Sequence, residues 1–101
     1  MGSLSRTKGA QFERDIVRAF KDAGIDAKRT APLQTHKQNN ADDLIVDGVG
    51  GIECKRRRSS FKIIYEAFEQ GEPNAVIIRD DRKAPLIVFA LDDFISRETG
   101  D

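Results

Sequence analysis

The sequence predicts an α+β layer fold, α/β in the broad sense, with a mixed sheet flanked by helices. Three observations carry that prediction. Apolar residues recur at helical spacing from Thr7 to Ala23 and again from Phe61 to Phe68. They alternate with polar residues from Ile25 to Thr30 and on either side of the glycines at 48, 50 and 51. Two further apolar runs, Ala75–Arg79 and Leu86–Ala90, follow the second helical segment. The order is therefore helix, strand, hairpin, helix, strand, strand, helix, and the single long crossover, through the second helix, is expected to be right-handed. A chain of 101 residues is expected to form one domain, 1–101, with frayed ends at 1–6 and 97–101.

The first helix is expected to end at Gly24. With residues about 100° apart, Phe12, Ile16, Val17, Ala19, Phe20 and Ala23 share an apolar arc, and Arg14, Arg18, Lys21 and Asp22 take the far side. Glu13 falls inside the apolar arc. Its desolvation has to be offset by a partner. Two accounts fit: an ion pair with a nearby Lys or Arg, or, as favoured, an acidic group turned toward the hairpin that follows. Residues 25–30 suggest a short strand with Arg29 and Thr30 at its exit. The segment 31–41 is polar, holds Pro32 and has no period, so it is a loop. Its Gln, Asn and Lys side chains, Lys37 among them, suit phosphate and sugar contacts. His36, the sole histidine, has no Cys or His neighbour in sequence and is read as solvated.

Asp43 to Lys55 reads as a hairpin with residues 48–50 as its loop, Gly50 taking the positive φ. Asp47 then pairs with Gly51, Ile45 with Glu53 and Asp43 with Lys55. Asp43, Glu53 and Lys55 share one face, and Leu44, Val46, Ile52 and Cys54 the other. A two-residue loop at Val49–Gly50 would instead turn Asp43 away from Glu53. Charged groups on a packed face are costly unless paired or coordinating a cation. Two carboxylates suffice for Mg²⁺ when water and a substrate phosphate complete its shell, and a lysine beside them can orient the attacking water. The set suits phosphodiester hydrolysis. Arg56, Arg57 and Arg58 continue the strand, and their guanidinium forks fit phosphate oxygens.

Ser59 or Ser60 is expected to cap the second helix, through about Gln70, with Gly71 ending it. Leu86–Ala90 is apolar enough to be a central strand. Asp92 or Asp93 is expected to cap the last helix, which carries Phe94 and Ile95.

Asp43, an apolar run and Glu53-Cys54-Lys55 together resemble the D…(D/E)XK signature of PD-(D/E)XK nucleases, most closely the archaeal-type Holliday-junction resolvases. The resemblance covers roughly residues 8–95, from Lys8-Gly9-Ala10-Gln11-Phe12-Glu13 to Leu91-Asp92-Asp93-Phe94-Ile95, with Asp42 where the family often has proline. It implies a restriction-endonuclease-like core and a Mg²⁺-dependent endodeoxyribonuclease, with Mn²⁺ able to substitute. Asp43 and Glu53 would ligate metal, joined by the backbone carbonyl of Cys54. Lys55 would position the water, and Glu13 would complete the acidic cluster. Arg29, Thr30, Lys37, Arg56, Arg57 and Arg58 would meet DNA. The expected substrate is a four-way junction, and its two symmetric nicks imply a homodimer. The same core acting on flaps, forks or duplex, and a non-catalytic DNA-binding module, are the alternatives.

Composition narrows the setting. With 39% hydrophobic and 34% charged residues, no long apolar run and no signal-peptide pattern, an intracellular protein away from membranes is expected, cytoplasmic or nucleoid-associated. The single Cys54 agrees with a reducing compartment. A net charge of zero argues against coating DNA by bulk charge. Its distribution is uneven: eight Lys/Arg against four Asp/Glu in 1–41, four of each in 42–58, and five against nine in 59–101. One face for phosphate and another for solvent would account for that asymmetry.

Overall fold

The computed structural model describes residues 2–30 and 43–100, with side chains from residue 7 onward. They belong to two compact units, Met1–Arg56 and Arg57–Asp101. The first holds α1 (Gly2–Asp22), β1 (Ala27–Arg29), β2 (Leu44–Val46) and β3 (Gly50–Ile52), and the second α2 (Lys62–Glu69), β4 (Val76–Ile78), β5 (Leu86–Val88) and α3 (Leu91–Thr99). The order and the α+β class are those expected. The strands, however, pair as two antiparallel sheets, β1-β2-β3 and β4-β5, with no parallel ladder among the described residues. An apolar run specifies burial on both faces of a strand but carries no information about its partner, which is why Leu86–Ala90 read as central. Leu86 and Ile87 are in fact exposed.

In the first unit α1 covers the sheet. Phe20 of α1, Ala27 of β1 and Leu44 and Val46 of β2 are buried and form its core. Phe12, Ile16, Val17 and Ala19 are half-buried along the same arc, while Ala23, expected with them, is exposed beyond the helix end. Gly24 adopts φ +88°, its N–H donating to the Lys21 carbonyl at 2.9 Å while that of Ile25 donates to Phe20 at 2.9 Å. That pair of bonds is a Schellman closure. It turns the chain directly into β1, whose alternation sends Ala27 and Arg29 toward α1 and Lys28 outward.

The hairpin register differs from the expected one. Val46 pairs with Gly50, Ile45 with Gly51 and Leu44 with Ile52. The loop is therefore Asp47–Val49, closed by the Val49 N–H on the Val46 carbonyl at 3.0 Å. Two glycines accept positive φ, Gly48 at +80° and Gly50 at +104°, and the turn is built on the earlier one. Each expected partner moves by two residues, so parity is kept and the faces survive. Leu44 and Val46 are buried, and Ile45 is exposed.

In the second unit α2 packs against β4. It starts at Lys62 with Phe61 as its cap and no side-chain cap bond, so neither Ser59 nor Ser60 caps it; the Phe61 carbonyl already accepts from Ile64 and Tyr65. The left-handed residue after it is Glu72, φ +50°, and not Gly71. Ala90, extended at φ −62° and ψ 140°, caps α3, leaving Asp92 and Asp93 in the first turn where the helix dipole favours acids. This helix continues past Arg97 to Thr99, and the Arg97 guanidinium lies 4.8 Å from the Phe89 ring centre. Among the described residues no helix is long and apolar enough to cross a membrane.

Candidate active site

The acidic residues expected in the site all lie in the first unit, and the local structure explains how each is held. Beyond Leu44 and Ile52 the β2–β3 ladder gives way to side-chain bonding. The Cys54 N–H donates to Asp43 Oδ2 at 2.8 Å, and the Asp43 N–H donates to the Ile52 carbonyl at 3.0 Å. From the other side, the Thr30 N–H and Oγ1 both donate to the Asp43 carbonyl, at 3.0 and 3.2 Å. Asp43 is thus held through its backbone by two strands, with its carboxylate turned across the hairpin to Cys54. Continued by one residue, the observed register sets Asp43 opposite Glu53.

Glu13 approaches from α1. Its side chain is 16% exposed, and Oε1 accepts a bond from Arg29 Nε at 3.0 Å. The reason is alternation: Arg29 pairs with Leu44, so it shares the α1-facing side of the sheet. Glu13 thus has the ion-pair partner that one of the two accounts expects. Burial pushes the Cys54 thiol from the ordinary 9.0 to about 11, and the carboxylates of Asp43, Glu13 and Glu53, in that order, push the same way.

Glu53 and Lys55 are exposed and pair with each other, Nζ to Oε2 at 3.3 Å. Strand β3 ends at Ile52, so Arg56, Arg57 and Arg58 do not continue it as expected, and all three are exposed in irregular backbone. Arg57 and Arg58 belong to the second unit. Arg29 and Thr30, expected to meet DNA, contact Glu13 and Asp43. Neither contact was legible, since the β1–β2 register spans 31–42 and no periodicity crosses it. Lys37 and His36 lie outside the described residues.

The donor chemistry fits a hard divalent cation. Asp43 and Glu53, set opposite each other by the hairpin register, supply the carboxylate oxygens that such an ion takes as ligands. Among the described residues no three His, Cys, Asp or Glu side chains stand close enough to hold an ion between them, so water and substrate oxygens would complete the shell.

A family model described as archaeal Holliday junction resolvase matches residues 4–93, from α1 into the start of α3. Neither the curated proteins nor the solved structures contain a match.

Proposed function

The chain belongs to the archaeal Holliday junction resolvase family, and from that premise we propose that it is a Mg²⁺-dependent endodeoxyribonuclease that resolves four-way DNA junctions by paired symmetric nicks. The observation that supports the metal-site reading is the hairpin register, which sets Asp43 opposite Glu53 and holds the Asp43 carboxylate on the Cys54 N–H at 2.8 Å. Asp43 and Glu53 would hold the ion, with the Cys54 carbonyl added by family resemblance. When bound, the ion supplies a Lewis acid for the phosphate and lowers the pKa of an attacking water. Lys55, tethered to Glu53 at 3.3 Å, would orient that water and offset charge growing on the phosphate. Arg56, Arg57, Arg58 and Lys37 would track the backbone. Two nicks from one-site chains call for a homodimer.

The test is cleavage of a labelled synthetic four-way junction beside linear duplex and single strand, with Mg²⁺, with Mn²⁺ and with EDTA. Paired nicks in the junction alone, only with metal, are expected. Equal cutting of every substrate would retain a nuclease but remove junction specificity. No cutting with either metal would overturn the reading in favour of a DNA-binding module.

A further inference from the structure

The exit of β1 turns two consecutive polar residues onto Glu13 and Asp43. Arg29 is only 25% exposed on its side chain and spends Nε on Glu13. Thr30 directs Oγ1 and its N–H at the Asp43 carbonyl. We propose that Arg29 and Thr30 are positioning residues for two acids of the site, Arg29 fixing the carboxylate of Glu13 and Thr30 fixing the backbone that aims Asp43. The inference rests on the metal-dependent nuclease reading and assigns this pair a role within that site.

The physical argument starts from Glu13. It lies on the α1 face toward the sheet, where an unpaired carboxylate is disfavoured and its rotamer free. A guanidinium is planar and stays charged, so it can hold that carboxylate in one orientation without competing as a proton donor in the working pH range. The pair also joins α1 to β1, coupling the acid on the helix to the sheet that carries Asp43. Thr30 acts on the adjacent strand. By bonding the Asp43 carbonyl, it fixes the peptide from which the carboxylate projects to the Cys54 N–H. Placing two acids reproducibly is what a hard cation demands of its ligands, and partners behind the ligands typically set affinity by about 10- to 100-fold.

The experiment compares Arg29→Gln, Thr30→Val, Glu13→Gln and the neutral pair Glu13→Gln/Arg29→Gln with wild type in two assays. Junction affinity is measured by anisotropy in EDTA across a salt series, and cutting is measured across a Mg²⁺ titration. Expected for Arg29→Gln are junction affinity within about twofold of wild type, an unchanged salt slope, cutting at least tenfold slower and a several-fold higher Mg²⁺ requirement. Thr30→Val shifts the Mg²⁺ requirement the same way by a smaller factor. The double variant, which leaves no unpaired charge if Arg29→Gln alone should fail to fold, cuts no slower than Glu13→Gln. A phosphate-contacting Arg29 would instead weaken EDTA binding when replaced, reduce the salt slope by about one and leave the Mg²⁺ requirement alone, overturning the assignment. Slower cutting by the double variant than by Glu13→Gln would also overturn it. Wild-type protein that cuts nothing overturns the nuclease reading, and this assignment with it.

Discussion

Asp43 is fixed at its N–H, its carbonyl and its carboxylate, by Ile52, Thr30 and Cys54 respectively. Its carboxamide analogue keeps an oxygen for the Cys54 N–H and removes the charge. Asp43→Asn is therefore expected to bind junctions in EDTA as wild type does while cutting more slowly by at least the roughly 100-fold that losing an outer-shell partner costs. Gel-shift and cleavage assays on the same preparation check both halves. Cys54 is the second residue with a clear readout. Its thiol keeps its proton in the fold to about pH 11 but loses it near 9.0 when free of burial and of the acids. Between those values the unfolded chain binds fewer protons than the native one, so the contribution to stability is complete below pH 9 and fades as pH rises toward 11. Thiolate absorbance of metal-free protein should titrate with a midpoint near 11, and Asp43→Asn should bring that midpoint down. A midpoint at the free-thiol value would remove the influence of burial and of the acids on Cys54 from the account of the site.

At the scale of elements, glycines sort into those that a turn requires and one that a helix merely tolerates. Gly50, at φ +104° with no atom within 4 Å of an added Cβ, is constrained by backbone alone. Gly50→Ala is expected to lower stability by about 1–2 kcal/mol. Gly9, inside α1 and equally unobstructed, has no such φ, and Gly9→Ala should raise stability by about 0.5–1 kcal/mol. Urea unfolding of the two variants should give shifts of opposite sign. The same glycines explain what the sequence revealed of the hairpin. Its existence and its two faces were legible, because both depend on parity, and parity survives a shift of two. Its loop was not, because Gly48 and Gly50 are both competent at positive φ and the Val49-to-Val46 bond decides between them. Helix periods located α2 and the C-terminal end of α1, which begins at Gly2 and so takes in residues 2–6 expected as a frayed end, whereas the caps depend on local bonding that composition does not encode. The Ser59 and Ser60 hydroxyls looked like caps, but the Phe61 carbonyl starts α2 without a side chain. The acids and Lys55 could be read from spacing, but the Arg29–Glu13 and Thr30–Asp43 contacts depend on strand pairing across 31–42.

At the scale of the whole chain, the surface of the second unit bears on the proposed homodimer. Ile77 and Ile87 are directly paired across β4 and β5 and are 70% and 56% exposed. Side chains alternate, so the two lie side by side on one face of that sheet, while on the other face Val76, Ile78 and Val88 are half-buried and Leu86 is exposed. An apolar cross-strand pair left in water adds nothing to the ladder that threonine could not supply, since threonine keeps the β-branch and the strand preference. What it does add is apolar surface able to meet a second copy, and self-complementary apolar patches are what a two-fold interface uses. Ile77→Thr/Ile87→Thr is therefore expected to retain far-UV circular dichroism and Asp43-dependent cutting while shifting the mass measured by light scattering from dimer to monomer. The cleavage pattern should follow the mass. A monomer carries one site, so paired nicks on a four-way junction should become single, uncoupled nicks, and paired nicking should return as protein concentration rises. A double variant that stays dimeric and still nicks in pairs would assign the contact to another surface and leave this sheet face as ordinary exposed strand.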